Sequence, residues 1–132
     1  MKTKPQLMLA DVRRIAAAAE AEALANQWAV SIAIVDDGGH LLWLQRLDGA
    51  APITAQIAPA KAQTSALGGR ESKAYEDMIN GGRFAFLSAP LVAALEGGVP
   101  VIVDGQVVGA VGVSGVKSGE DVRIARAAIA AL

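Results

Sequence analysis

Residues 97–115 read Gly-Gly-Val-Pro-Val-Ile-Val-Asp-Gly-Gln-Val-Val-Gly-Ala-Val-Gly-Val-Ser-Gly. Two runs rich in β-branched residues flank Asp104-Gly105, a dipeptide that supplies the positive φ angles of a tight turn. This segment is therefore expected to form a β-hairpin, with strands over 99–103 and 107–113. Gly109, Gly112 and Gly115 interrupt the second run. Glycine inside a strand implies a bulge, or a close approach by another backbone or a ligand.

The rest of the chain divides around this hairpin. Residues 9–27 are Ala-rich, with Val12, Ile15, Ala19 and Ala23 on one helical stripe. Residues 28–35 then alternate with period two: Val30, Ile32 and Ile34 point one way, and Ser31, Ala33 and Val35 the other. The turn-forming Asp36-Asp37-Gly38-Gly39 separates that strand from a second apolar run at 41–45, so a second hairpin is expected. Residues 53–67 read as a helix with Ile53, Ile57, Ala60 and Thr64 on one stripe. Pro59 either kinks it or marks a start near Ala58. A short helix at 72–79 follows. Residues 83–95 are the least legible: Phe84 and Phe86 suit one side of a short strand, and 90–95 a loop or helical turn. Ser118-Gly119-Glu120-Asp121 resembles a capping box opening a last helix with Val122, Ala125, Ile129 and Leu132 on its apolar face. Strands that come as hairpins among helices make an α+β class with a mostly antiparallel sheet, in one domain spanning 1–132.

Composition narrows the function. Twelve basic residues against thirteen acidic ones give a net charge of -1, with no basic run, which argues against nucleic acid as a partner. The lack of cysteine removes disulfides, thiolate metal sites and a Cys nucleophile, and a single histidine removes His-cluster metal sites. No run approaches the roughly 18 apolar residues of a membrane-spanning helix. The charged amino-terminal stretch is unlike a signal peptide, so the cytoplasm is the expected location. With 53% hydrophobic and 19% charged residues, some apolar surface is expected to be hidden in an oligomer.

Lys61 lies among apolar helix positions, where an ammonium is costly unless paired. It either snorkels to water or stands at a pocket wall as a carboxylate holder, acid or base. Glu96 precedes Gly97-Gly98, whose backbone N–H groups can face an anion, and is the preferred acid over Glu71, Asp36 and Asp37. Arg46 and Arg83 either form ion pairs or join Lys61 around a small organic acid. His40, at the first hairpin tip, is either a solvated turn residue or a proton carrier or axial haem ligand. Met8, Met78 and Tyr75 are the other iron-ligating types, and each also suits a packing role.

Asp36-Asp37-Gly38-Gly39-His40-Leu41, Arg46-Leu47-Asp48-Gly49-Ala50, Lys61-Ala62-Gln63-Thr64 and above all the stretch 97–115 resemble the GlcG/HbpS-like family. The likeness runs from about Leu7 to Leu132 and is nearest the GlcG branch, associated with glycolate utilisation. It implies a profilin-like α+β fold, an antiparallel sheet flanked by helices. It also implies a homo-oligomer, tetramer or octamer, that binds a small molecule. Some members bind haem or cobalamin-related ligands, which makes haem a candidate, though no cofactor is required. One branch resembles cofactor-independent lyases that release ammonia from aryl hydroxylamines such as hydroxylaminobenzoate. In that reading Lys61 and Arg46 hold the carboxylate and Glu96 serves the N–O group. A structural oligomer without a site is the third reading.

Overall fold

The computed structural model describes residues 1–132. Four strands, β1 (Ser31–Asp36), β2 (Leu41–Arg46), β3 (Gly98–Val103) and β4 (Gln106–Ser114), form one sheet in the order β2-β1-β4-β3. All neighbours are antiparallel. The helices are α1 (Leu9–Ala25), α2 (Thr54–Gly68), α3 (Lys73–Asn80) and α4 (Ser118–Ile129). The antiparallel α+β fold follows the sequence reading, and both hairpin turns are where the Asp/Gly clusters put them. Asp104 and Gly105 both take positive φ (51° and 73°), as a two-residue hairpin turn of that hand requires.

The period-two alternation of β1 sorts the core into two unlike layers. Ile32 and Ile34 join Val111, Val113, Ile15 and Ile124 between the sheet and helices α1 and α4. Ala33 and Val35 face the other way, onto Ala58, Ala62, Ala66 and Ala110 under α2. That second layer is built of small side chains because the α2 backbone lies directly on the sheet. A Cβ on Gly112 would strike the Ala58 carbonyl, and one on Gly98 the Lys61 carbonyl. These glycines sit opposite each other in the β3–β4 register. Close backbone approach, rather than a bulge at either glycine, explains them.

Several local expectations change. Helix α2 begins at Thr54, whose hydroxyl meets Ser31 Oγ at 2.8 Å, and runs through Pro59 on a half-buried flank rather than starting near Ala58. Its buried side is not the predicted stripe: Ile53 is exposed and Ile57 and Ala60 are half-exposed, while Ala58, Lys61, Ala62 and Ser65 are buried and only Thr64 is common to both. The sheet accepts only small residues there, so the bulky apolar stripe faces outward. Phe84 and Phe86 belong to a 3-10 turn (Phe84–Ser88), not a strand. It is held by stacking of Phe86 on Tyr75, centroids 5.3 Å apart. At α4 the capping arrangement shifts by one residue, with Glu120 accepting from the Lys117 N–H at 3.2 Å. Leu132 lies beyond that helix and is exposed.

Candidate functional site

Because α2 rests on Gly98 and Gly112, Lys61 is pressed into the protein where α2, the end of β4 and α4 meet. Only 4% of the residue is exposed. Its Nζ donates to the Val113 carbonyl at 2.9 Å and to Asp121 Oδ2 at 3.1 Å. Asp121 is as deeply buried, and its other oxygen accepts from the Val116 N–H at 3.2 Å. Burial pushes the Asp121 carboxyl above its ordinary value, and the charge and hydrogen bond of Lys61 oppose that rise. The sequence reading missed Asp121. Its signal was there: it stands four and seven residues before Ala125 and Ala128, on the stripe that α4 buries.

The Gly97-Gly98 loop closes over this pair. Gly97 takes φ of 137°, and a Cβ on it would lie 2.7 Å from Lys61 Nζ and 2.6 Å from the Val113 oxygen. Its carbonyl accepts from the Val113 N–H at 3.0 Å, so the loop is bonded to β4 and packed on the ammonium. Ser72 fixes the loop from the other side. Its Oγ accepts from the Gly98 N–H at 2.8 Å and donates to the Leu95 carbonyl. Thr64 Oγ1 accepts from the Ala93 N–H at 3.3 Å. The paired glycines thus serve local packing and strand pairing, and both are buried.

None of the other sequence-predicted side chains bonds to Lys61. Glu96 is half-buried, makes no side-chain hydrogen bond, and its charge acts on Lys73, whose ammonium is held up chiefly by its hydrogen bond to Asp77. Glu71 is bound by Arg126 at 2.7 and 2.9 Å. Arg46 ends the edge strand β2, exposed and without an ion pair. Arg83 lies over the Phe86 ring, 5.6 Å from its centroid. His40 stands at the β1–β2 tip with 76% of its side chain exposed, Nδ1 3.7 Å from Asp36 Oδ1. Asp36 itself caps the turn, accepting from the N–H groups of Gly38 and His40, both at 2.9 Å. Of the other iron-ligating types, Met8 is exposed, Met78 half-buried, and Tyr75 buried with its hydroxyl against Gly68. No group of three His, Asp or Glu side chains is placed to hold a metal ion.

None of the surface clefts is lined by Lys61, Arg46, Arg83 or His40. The most apolar of the larger ones, about 480 Å³, lies between the segment Pro5–Leu7, the β3–β4 hairpin and the end of α4. Leu7, Ile102, Val108 and Ile129 wall it, and the Arg14 guanidinium, paired with Asp11, stands at its edge. A smaller cleft of about 310 Å³ lies beside Leu95, Leu87 and Ile79.

A four-stranded antiparallel sheet, with one helix set close on one face and two on the other, defines a profilin-like domain. The description "haem degrading protein HbpS-like" matches residues 7–130, and the chain belongs to that family. It is 60% identical over 114 residues to Protein GlcG of Escherichia coli strain K12, covering 86% of this chain and 85% of that protein. Among solved structures it is similar to a double mutant of Streptomyces reticuli HbpS, at 30% identity and a TM-score of 0.88, covering all of this chain and 90% of that one. It is also similar to PduOC solved as a haem complex, at 28% identity and a TM-score of 0.87, covering 97% and 96% of the two chains. No helix is long and apolar enough to cross a membrane.

Proposed function

We propose that this chain is a cytoplasmic, homo-oligomeric binding protein for a small ligand with an apolar body and a carboxylate, haem being the first to test. The observation that carries the reading is the cleft of about 480 Å³, within the size range of small-molecule sites, with apolar walls and the Asp11–Arg14 ion pair in its lining. Membership of a family described as haem-degrading, and likeness to PduOC solved as a haem complex, support the same class of ligand. The residues fit a porphyrin only in part. The walls suit a flat apolar ring, and Arg14 would suit a carboxylate on leaving Asp11, but no His, Met or Tyr lines the cleft to ligate iron. Iron ligation by His40 would be a separate, surface event.

The state of Lys61 supports binding over catalysis. Its ammonium is spent on Asp121 and a backbone carbonyl under a closed loop, where a hydroxylaminobenzoate cannot reach it. In the lyase reading, Glu96 and the exposed Arg46 would have to act without it.

Titration with haemin, followed at the Soret band, and with metal-free protoporphyrin, followed by fluorescence, tests the proposal. Both porphyrins are expected to bind at micromolar protein, and Arg14→Ala and Ile102→Asp to weaken both. Loss of haemin binding alone in His40→Ala would move the haem to the hairpin tip. No binding of either porphyrin by wild-type protein removes haem as the ligand.

A further inference from the structure

We propose that two copies of this chain join through the open edge of β2, antiparallel about a two-fold axis, extending the sheet across the contact. This rests on the oligomeric part of the reading above and names the surface that performs it.

The backbone of β2 is available for pairing. Leu47 N–H donates to the Val30 carbonyl at 2.9 Å, and Gln45 and Trp43 face Ile32 and Ile34 in the same phase. In an antiparallel ladder that phase turns the N–H and C=O groups of Leu44 and Arg46 away from β1, toward an empty edge. Natural edge strands are usually blunted by lysine, proline or a covering element. The opposite edge, β3, carries Pro100, which has no N–H to offer. Strand β2 has neither proline nor lysine and reads Leu-Leu-Trp-Leu-Gln-Arg.

The side chains beside that edge lack a partner. Leu44 faces Ala33 in the layer under α2, but α2 lies mainly over β1, β3 and β4, and Leu44 stays 43% exposed. The outward side of α2 continues the same surface. Ile53, Gln56, Ala60, Gln63 and Leu67 line it without one charge, and Leu67 is 58% exposed. The only charged residue in α2 is the buried Lys61.

Charge selects a second copy as the occupant. Arg46, unpaired, closes one end of β2. The hairpin tip at the other end holds two carboxylates, Asp36 and Asp37, against the one lysine Lys4, which meets Asp37 at 2.7 Å. Two-fold antiparallel pairing sets each Arg46 toward the partner copy's acidic tip and leucine against leucine between them. An isologous contact makes each of these interactions twice.

Sedimentation velocity and amide hydrogen exchange on the full chain test this. Wild-type protein is expected to be oligomeric, with the Leu44 and Arg46 amides exchanging at least tenfold more slowly at high than at low protein concentration. Leu44→Lys is expected to halve the assembly's mass, or more, while leaving the circular dichroism unchanged. Arg46→Glu should raise the dissociation constant about tenfold, and Asp37→Lys combined with Arg46→Glu should recover most of that loss. A folded Leu44→Lys protein of wild-type mass, or an oligomer in which both amides exchange at open-edge rates, overturns the β2 interface and leaves the oligomeric reading standing. A wild-type monomer at every concentration overturns both.

Discussion

Replacing Lys61 by methionine keeps the length of the side chain and removes its charge. What remains is an Asp121 carboxyl that is 2% exposed, with one N–H donor from Val116, and a Val113 carbonyl that has lost the ammonium. Breaking a buried ion pair from one side costs about 3–5 kcal/mol, because the remaining charge stays desolvated. The variant can soften this by taking up a proton at Asp121, so about 3 kcal/mol is expected at neutral pH. That is a large share of the roughly 5–15 kcal/mol that holds a domain together. At about 3–5 °C per kcal/mol for a domain of this size, it lowers Tm by about 10 °C. The sign of the pH dependence follows from the carboxyl. Burial already raises it above its ordinary 3.8, and without Lys61 it rises further. A group raised on folding contributes stability that is fully present below its unfolded pKa and is lost as pH rises through its folded pKa. The gap between wild type and Lys61→Met should therefore be narrow near pH 4 and widen toward pH 8. Adding Asp121→Leu to Lys61→Met should recover most of the loss, since an apolar pair leaves no buried charge. Urea denaturation at fixed protein concentration across that pH range measures all of this. A cost below about 1 kcal/mol at pH 8, or a gap that does not change with pH, would refute the reasoning and return Lys61 to the list of reactive groups.

Two further substitutions test the packing. Gly112→Ala drives a Cβ into the Ala58 carbonyl and the Ala62 backbone, so α2 must lift from the sheet, at a cost of about 1–3 kcal/mol or more by thermal denaturation. Gly119→Ala, in the exposed first turn of α4 with nothing within 4 Å, is its control and should be neutral or slightly stabilising. Phe86→Ala removes the stack on Tyr75, worth about 0.5–1.5 kcal/mol beyond burial. It should lower Tm only slightly while speeding amide exchange and proteolysis around residues 83–95, and unchanged protection there would show that the stack does not hold the segment.

The parts of the fold that could be read from the sequence are those where one physical signal acts alone. Alternation in 30–35 and the Asp-Gly turn at 104–105 needed no tertiary information. The 9–25 helix declared its buried stripe because Val12, Ile15, Ala19 and Ala23 recur at helical spacing on the side that packs against the core. Residues 83–95 hid their structure because the 3-10 turn depends on the stack of Phe86 on Tyr75, eleven positions earlier. The site was half legible. Lys61 stood out as a lysine in apolar company, and the glycines after Glu96 stood out as a special loop, and these two do touch. Glu96 drew attention from its neighbours in sequence, whereas the carboxylate that Lys61 meets is Asp121. Asp121, sixty positions from Lys61, meets it only because the lysine side chain, carried by α2 on one face of the sheet, reaches the end of β4 and the first turn of α4 beyond it.

Helix α2 is where local pattern and tertiary demand part company, and the consequence reaches the surface. A helix whose backbone touches a sheet can bury only alanine, serine, threonine and, along one flank, a lysine with a partner. Ile53 at its N-cap and Leu67 in its last turn then face outward, and Ile57 is only half-buried. In a monomer this surface exposes apolar side chains beside an unpaired strand edge, a combination that soluble chains suppress. The close approach that Gly98 and Gly112 permit therefore does two things at once. It seals the Lys61–Asp121 pair inside the protein, and it turns an uncharged face of α2 toward the β2 edge, where a second copy can cover it. The same geometry that argues against Lys61 as a reactive amine argues for assembly, and a Gly112→Ala protein that lifts α2 should loosen both the buried pair and the oligomer.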